Sequence, residues 1–233
     1  MNHPHYVGQM PTRTNSLRAF KVVAAAAALT ATAVEARRGL SPTEEDLYRR
    51  VNDAPDPLAP FVWLPMQAGA LAAPFALAAV TYWRTRTVEP AASFAGAGLA
   101  AWLGAKGVKK VIGRGRPHDF DQRTKLRLGT EIDGSLGFIS GHAAVSFAVA
   151  SVVSDRLGPR AGLTAYAAAA LASVSRIYVG AHLPLDVVGG ASFGVLIGEA
   201  TEIATSRVLT RRTRPHVQPS ITVQARSRER ITP

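Results

Sequence analysis

Cysteine is absent from this chain of 233 residues. That excludes disulfides, a thiolate metal site and a thiol nucleophile, and it leaves the compartment open. Charge is scarce at 18% of residues, and acidic charge scarcer still. The 16 Asp and Glu stand against 27 Lys and Arg, for a formal net charge of +11. Aromatic residues make up 7%. None interrupts the basic run from Lys106 to Arg116, and no nucleic-acid motif accompanies it, so nucleic acid is not the expected partner. Hydrophobic residues reach 47%, which argues against wholesale disorder. The mean hydropathy of +0.09 looks ordinary for a soluble protein. It averages apolar blocks with polar ends.

Those blocks organise the chain. Residues 1–18 read as a disordered, basic lead. Ala19 to Val34 is Ala-rich and lies between Arg18 and Arg37. Its length fits both a retained membrane helix and a signal h-region, and Ala31-Thr32-Ala33 resembles a cleavage box. Ser41-Pro42-Thr43-Glu44 has the form of a helix start, with Ser41 as N-cap, Pro42 at the first position and Glu44 completing a capping box. The charged segment that follows is expected at the surface, and the prolines from Asp53 to Pro60 mark a linker. Residues 19–60 thus form one unit, an apolar helix with a surface helix and linker.

A core is expected over residues 61–206. Phe61 to Trp83 has no charged side chain and is long enough to cross a hydrocarbon layer of about 30 Å. Its prolines are tolerable in a membrane bundle. Further apolar blocks run from Pro90 to Ala105, Gly141 to Val153, Ala161 to Val174 and Val187 to Ala204. Ala92, Gly96, Ala100 and Gly104 form a small-residue stripe, as do Gly190, Gly194 and Gly198. Such stripes permit close helix contact, within one subunit or across a homodimer through Gly-x3-Gly faces. Residues 207–233 read as a disordered basic tail. No period-two alternation appears, so the expected fold is all-α, a polytopic membrane bundle of about six transmembrane helices. A soluble helical bundle is the weaker alternative. With the N-terminus inside, the turns at Arg84 and Arg156 and the arginine tail also fall inside, in keeping with the positive-inside tendency. The whole-chain count of basic residues is nearly even between the two sides. The orientation therefore needs another reason for the outer cations.

Three short stretches supply it: Lys109-x6-Arg116-Pro117, Ser140-Gly141-His142, and Ser175-Arg176-x5-His182-x3-Asp186. In the six-helix arrangement all three reach the same membrane face. Lys109, Arg116 and Arg176 would repel one another unless an anion joined them, and guanidinium groups grip tetrahedral oxyanions. Ser140 and Gly141 open an apolar helix, whose free N–H groups suit a phosphate. Gly141 allows close approach, while Ser140 either caps the helix alone or also donates its hydroxyl. Asp186 can reach back to His182 and support a cation on its ring. His182 is the candidate nucleophile toward phosphorus, and His142 the candidate acid and base. A His-x3-Asp pair also occurs in metal sites, but no third ligand follows at useful spacing.

These ten fixed residues resemble the three signature motifs of the type 2 phosphatidic acid phosphatase (PAP2) superfamily, over about Phe61 to Ala204. The family includes lipid phosphate phosphatases, bacterial acid phosphatases and vanadium haloperoxidases. The resemblance implies a metal-independent, cofactor-free phosphatase with an all-helical core. His182 is then the nucleophile and His142 the general acid, with Lys109, Arg116, Ser140, Gly141 and Arg176 on the phosphate. Many members have Pro before the Ser-Gly-His, where this chain has Ile139.

The apolar blocks favour the membrane branch. The expectation is a multi-pass cell-membrane enzyme with its site on the extracytoplasmic face. Its substrate would be a lipid phosphate or diphosphate: phosphatidic acid, phosphatidylglycerol phosphate or a prenyl phosphate or diphosphate. A haloperoxidase-like enzyme and a non-catalytic anion-binding membrane protein are the rivals.

Overall fold

Helix ends fall where the sequence puts Ser, Pro and Gly. Ser41 caps one helix, its hydroxyl accepting from the Glu44 amide at 3.2 Å, with Pro42 in the first turn. Ser140 caps another, and Pro159 and Pro184 each open one. Gly113, at φ +70°, ends the helix that carries Lys109, a left-handed position that suits glycine. The computed structural model describes residues 12–128, 130 and 136–212. The first eleven positions and most of the basic tail expected at 207–233 lie outside them.

Among the described residues there are nine α-helices and no strands. They are α1 (Thr12–Arg37), α2 (Pro42–Asn52), α3 (Ala59–Met66), α4 (Ala72–Thr85), α5 (Val88–Ile112), α6 (Pro117–Phe120), α7 (Gly141–Leu157), α8 (Pro159–Tyr178) and α9 (Pro184–Arg212). The all-α expectation holds. Helix α1 starts inside the expected lead, and α9 runs past position 207, where the sequence begins the tail.

Helix α7 is the axis, packed chiefly on α9, α8 and α5, with α1 laid on α9. Its small side chains are buried: Ala143, Ala144, Ala148 and Ala150 let neighbouring backbones close in. The glycine face of α9 meets this surface. A Cβ at Gly190, Gly194 or Gly198 would stand 2.4 Å from the Ser140 carbonyl oxygen, 2.3 Å from that of Ala144, or 2.5 Å from the Ser151 Cβ. That face is used up inside the chain, which removes it as a homodimer surface.

On α5 the expected stripe is turned outward. Ala92, Gly96 and Ala100 are exposed, and Gly104 alone of the four is packed, against Phe193. The contact face lies one residue over, at Ala97, Gly98, Ala101 and Ala105. Pro74 of α4 sets this register, because a Cβ at Gly98 would be 2.3 Å from its Cγ.

Large apolar side chains remain on the outside, among them Phe20, Phe61, Leu64, Trp83 and Leu163. In water such a surface would drive aggregation; in hydrocarbon it costs nothing. By length and composition, residues 16–37 and 184–207 each suffice to cross a membrane. The continuous span expected from Phe61 to Trp83 is instead broken into Asp56–Gly69 and Ala72–Thr85, bent by 66°. Pro65 weakens α3, and Ala70 adopts an extended conformation after Gly69.

Helix α2 is not the free surface helix that its charge implies. Glu44, Tyr48 and Asn52 are buried. The Asn52 amide donates to the carbonyls of Lys125 and Tyr178, at 3.0 Å each, and accepts from the Lys125 N–H at 2.9 Å. This pins the polar loop after α6 across one end of the bundle. At the other end, Glu199 of α9 is 1% exposed and accepts from Arg18 at 2.8 Å, Lys21 at 3.1 Å and Ser151 at 3.1 Å. Arg18 also pairs with Asp155. A buried carboxylate with its donors matched in this way ties α1 to the bundle.

Candidate active site

The site forms where α5 and α8 end and α7 and α9 begin. Lys109 occupies the last turn of α5, and its ammonium donates to the carbonyls of Leu136 at 2.6 Å and Gly137 at 3.2 Å. After the Gly113 turn, Arg116 is fixed twice. Its backbone N–H donates to Asp119 at 2.7 Å, and its guanidinium to the Ala181 carbonyl at 2.8 Å. Arg176 closes α8, with a guanidinium nitrogen 3.2 Å from the Met66 sulfur. Its own carbonyl accepts the N–H groups of Ala181 and His182, which folds the turn carrying His182 back onto α8.

Six of the eight residues expected at the site line one cavity of about 460 Å³: Lys109, Arg116, Gly141, His142, Arg176 and His182. Nothing lies within 4 Å of where a Gly141 Cβ would be, so the helix N-terminus opens directly onto that space. Ser140 and Asp186 sit just behind, both fully buried. The Ser140 hydroxyl accepts from the Ala143 N–H at 3.4 Å, and its own N–H donates to the Asp186 carbonyl at 2.8 Å. The geometry given to Ser140 is that of a cap.

Asp186 is held from several sides. Its Oδ2 accepts the Leu183 N–H at 2.9 Å and lies 3.5 Å from His182 Nδ1, longer than a hydrogen bond. Its Oδ1 accepts from Arg114 at 3.1 Å. His182 is 3% exposed. Burial first, then the charges of Lys109, Arg176 and Arg116 and the neighbouring His142, hold its pKa well below the ordinary 6.5 of imidazole. Both effects favour the neutral form of the ring.

Sequence reasoning missed several neighbours. Gly69 and Leu71 from the break between α3 and α4 reach the cavity, as do Trp102 and Lys106 of α5. The Lys106 ammonium stands 3.5 Å above the Trp102 ring, a cation–π contact on the cavity wall. Arg114, two positions before Arg116, is buried beside Asp186. Glu44 does not complete a capping box with Ser41; its carboxylate grips Arg114 at 2.5 and 3.0 Å. Burial opposes the charge of Arg114, but the hydrogen bonds to Glu44 and the proximity of Asp186 hold its pKa above the usual range. Among the described residues, no three His, Asp or Glu side chains converge as a metal set.

The sequence model of the PAP2 superfamily matches residues 90–214. Two crystal structures share the fold. One is LpxE of Aquifex aeolicus, with TM-score 0.60 and 25% identity over 68% of this chain and 93% of that one. The other is the first transmembrane PAP2 type phosphatidylglycerolphosphate phosphatase from Bacillus subtilis, with TM-score 0.64 and 20% identity over 81% of this chain and 98% of that one. No curated protein matches the chain by sequence. The family match over more than half of the chain, together with the shared helical fold, identifies it as a membrane hydrolase of phosphoric esters that belongs to the PAP2 superfamily.

Proposed function

We propose that this enzyme removes phosphate from a membrane lipid, taking a lipid phosphomonoester or diphosphate through a phosphohistidine intermediate. The observation that carries the reading is the single cavity into which three cations and two imidazoles open, at one end of an apolar bundle. Its wall is apolar on one side, with Leu71, Trp102 and Ala105, which suits an acyl or prenyl chain. The Aquifex LpxE and the Bacillus phosphatidylglycerolphosphate phosphatase lend support as relatives in fold.

The chemistry needs no more than these residues. Lys109, Arg116, Arg176 and the amides opening α7 hold the non-bridging oxygens and stabilise their charge as the phosphoryl group transfers. His182, neutral and backed by Asp186, attacks phosphorus through Nε2. The bond from phosphorus to the leaving oxygen breaks, and His142 gives that oxygen its proton. His142 then takes a proton from water, which attacks the phosphohistidine. The P–N bond breaks and inorganic phosphate leaves.

The proposed topology has six crossings: α1, the bent α3–α4 pair, α5, α7, α8 and α9. Glu89 at the start of α5 pairs with Arg156 at the end of α7, at 2.5 and 3.0 Å, on the end away from the cavity. The start of α1, Arg84 and the end of α9 belong to that same end. The positive-inside tendency then puts it in the cytoplasm and the cavity on the extracytoplasmic face. Phosphate release measured in detergent micelles from phosphatidic acid, a prenyl diphosphate and a soluble phosphomonoester tests the reading. At least one lipid should outrun the soluble ester, and release from neither lipid contradicts the proposal.

A further inference from the structure

Asp186 is not the end of the chain of contacts behind His182. Its Oδ1 accepts from Arg114 Nη1 at 3.1 Å, and the same nitrogen donates to Glu44 Oε1 at 3.0 Å. Arg114 Nη2 donates to Glu44 Oε2 at 2.5 Å and to the Gly39 carbonyl at 3.1 Å. Glu44 Oε1 also accepts the N–H of Leu185, in the first turn of α9. All three side chains are 5% exposed or less. Glu44 comes from α2, outside the part of the chain that the family model matches.

We infer that Glu44 and Arg114 are positioning residues for the reaction, setting both the place and the effective charge of Asp186 behind His182. This rests on the proposed role of His182 as nucleophile. A buried guanidinium beside Asp186 would by itself cancel the carboxylate and leave nothing to support a cationic imidazole. Glu44 prevents that. One guanidinium shared by two carboxylates leaves one negative charge, and Asp186 Oδ2 carries it toward the ring. The contact of Glu44 with Leu185 N–H adds a mechanical tie between α2 and the turn that bears His182, with a carboxylate at the favourable end of α9.

Binding of orthovanadate and of inorganic phosphate, measured by calorimetry on the full chain in micelles, reads this directly. Vanadate expands to five ligands and can take the imidazole nitrogen, leaving positive charge on the ring, whereas phosphate only fills the anion cradle. Glu44→Gln keeps the shape and removes the charge. It should weaken vanadate by about ten- to a hundredfold and leave phosphate binding essentially unchanged, with Glu44→Asp recovering most of the loss. In turnover, Glu44→Gln should lower kcat with KM held, and Arg114→Lys should do the same. Equal losses for both anions, full vanadate affinity in Glu44→Gln, or a wild type that binds vanadate no better than phosphate would each overturn the inference. A wild type that shows the vanadate preference, loses it in Glu44→Gln, and yet hydrolyses no lipid phosphate would overturn the proposed function while upholding the positioning role.

Discussion

Gly69 lies against the backbone of His142: a Cβ at position 69 would stand 2.7 Å from the His142 carbonyl oxygen and 2.8 Å from its Cβ. The break between α3 and α4 thus packs onto one of the two histidines of the cavity. Gly69→Ala forces that backbone to move. A shift of about 1 Å in a catalytic group costs on the order of 10²-fold in rate. The expected outcome is a kcat on phosphatidic acid lowered by about that factor, with the protein still folded by its melting curve. An unchanged kcat would mean that His142 tolerates the shift.

Arg176 is buried at the end of α8. Lysine there keeps the charge and loses the forked grip on two oxygens. Arg176→Lys should reduce kcat/KM by about 10²-fold, the scale for losing one donor to a developing oxyanion. Steady-state kinetics on a single lipid substrate checks it, and a loss confined to a few tens of per cent would place Arg176 outside the phosphate cradle.

The three motifs were legible because their spacing is fixed by helix ends, and those ends are marked locally by Ser140, Gly113 and Pro184. What lay out of reach depends on partners far apart in the chain. Glu44 stands 70 positions from Arg114 and 141 from Leu185, so its local neighbours gave only the signature of a helix start. The same holds for the burial of α2, whose charge argued for a surface. The outward stripe on α5 misled because small residues recur on two adjacent faces, and Pro74, not the pattern, selects the one at Gly98. The prolines of the first core span were read as tolerable within one continuous crossing, and nothing in sequence said that a bend there would reach His142.

The low pKa of His182 has a consequence for stability. In the unfolded chain its imidazole binds a proton near pH 6.5, while the folded protein resists that proton until far lower pH. Stability contributed by the neutral, buried ring is present above pH 6.5 and is lost as pH falls below it, by up to about 1.4 kcal/mol per pH unit. In phosphate-free buffer the wild type should therefore lose more Tm between pH 7 and pH 5 than His182→Gln does. Parallel losses would show that the ring protonates as readily folded as unfolded.

Glu199, 1% exposed, depends on Arg18 and Lys21 of α1. Cleavage after Ala33 would strip it of both, and an uncompensated buried charge costs about 3–5 kcal/mol. The purified membrane protein should therefore retain Arg18 and Lys21, as intact-mass measurement will read. A mass corresponding to loss of the chain through Ala33 would contradict the structural role of α1.

The most direct measurement is rapid acid-free quench of the enzyme with a lipid carrying labelled phosphate, followed by peptide mapping. A burst of label on His182, stable in base and lost in acid, is the predicted result, absent in His182→Ala and prolonged when His142 is replaced. Turnover that proceeds with no label on any histidine, or with label on a residue other than His182, would contradict the account.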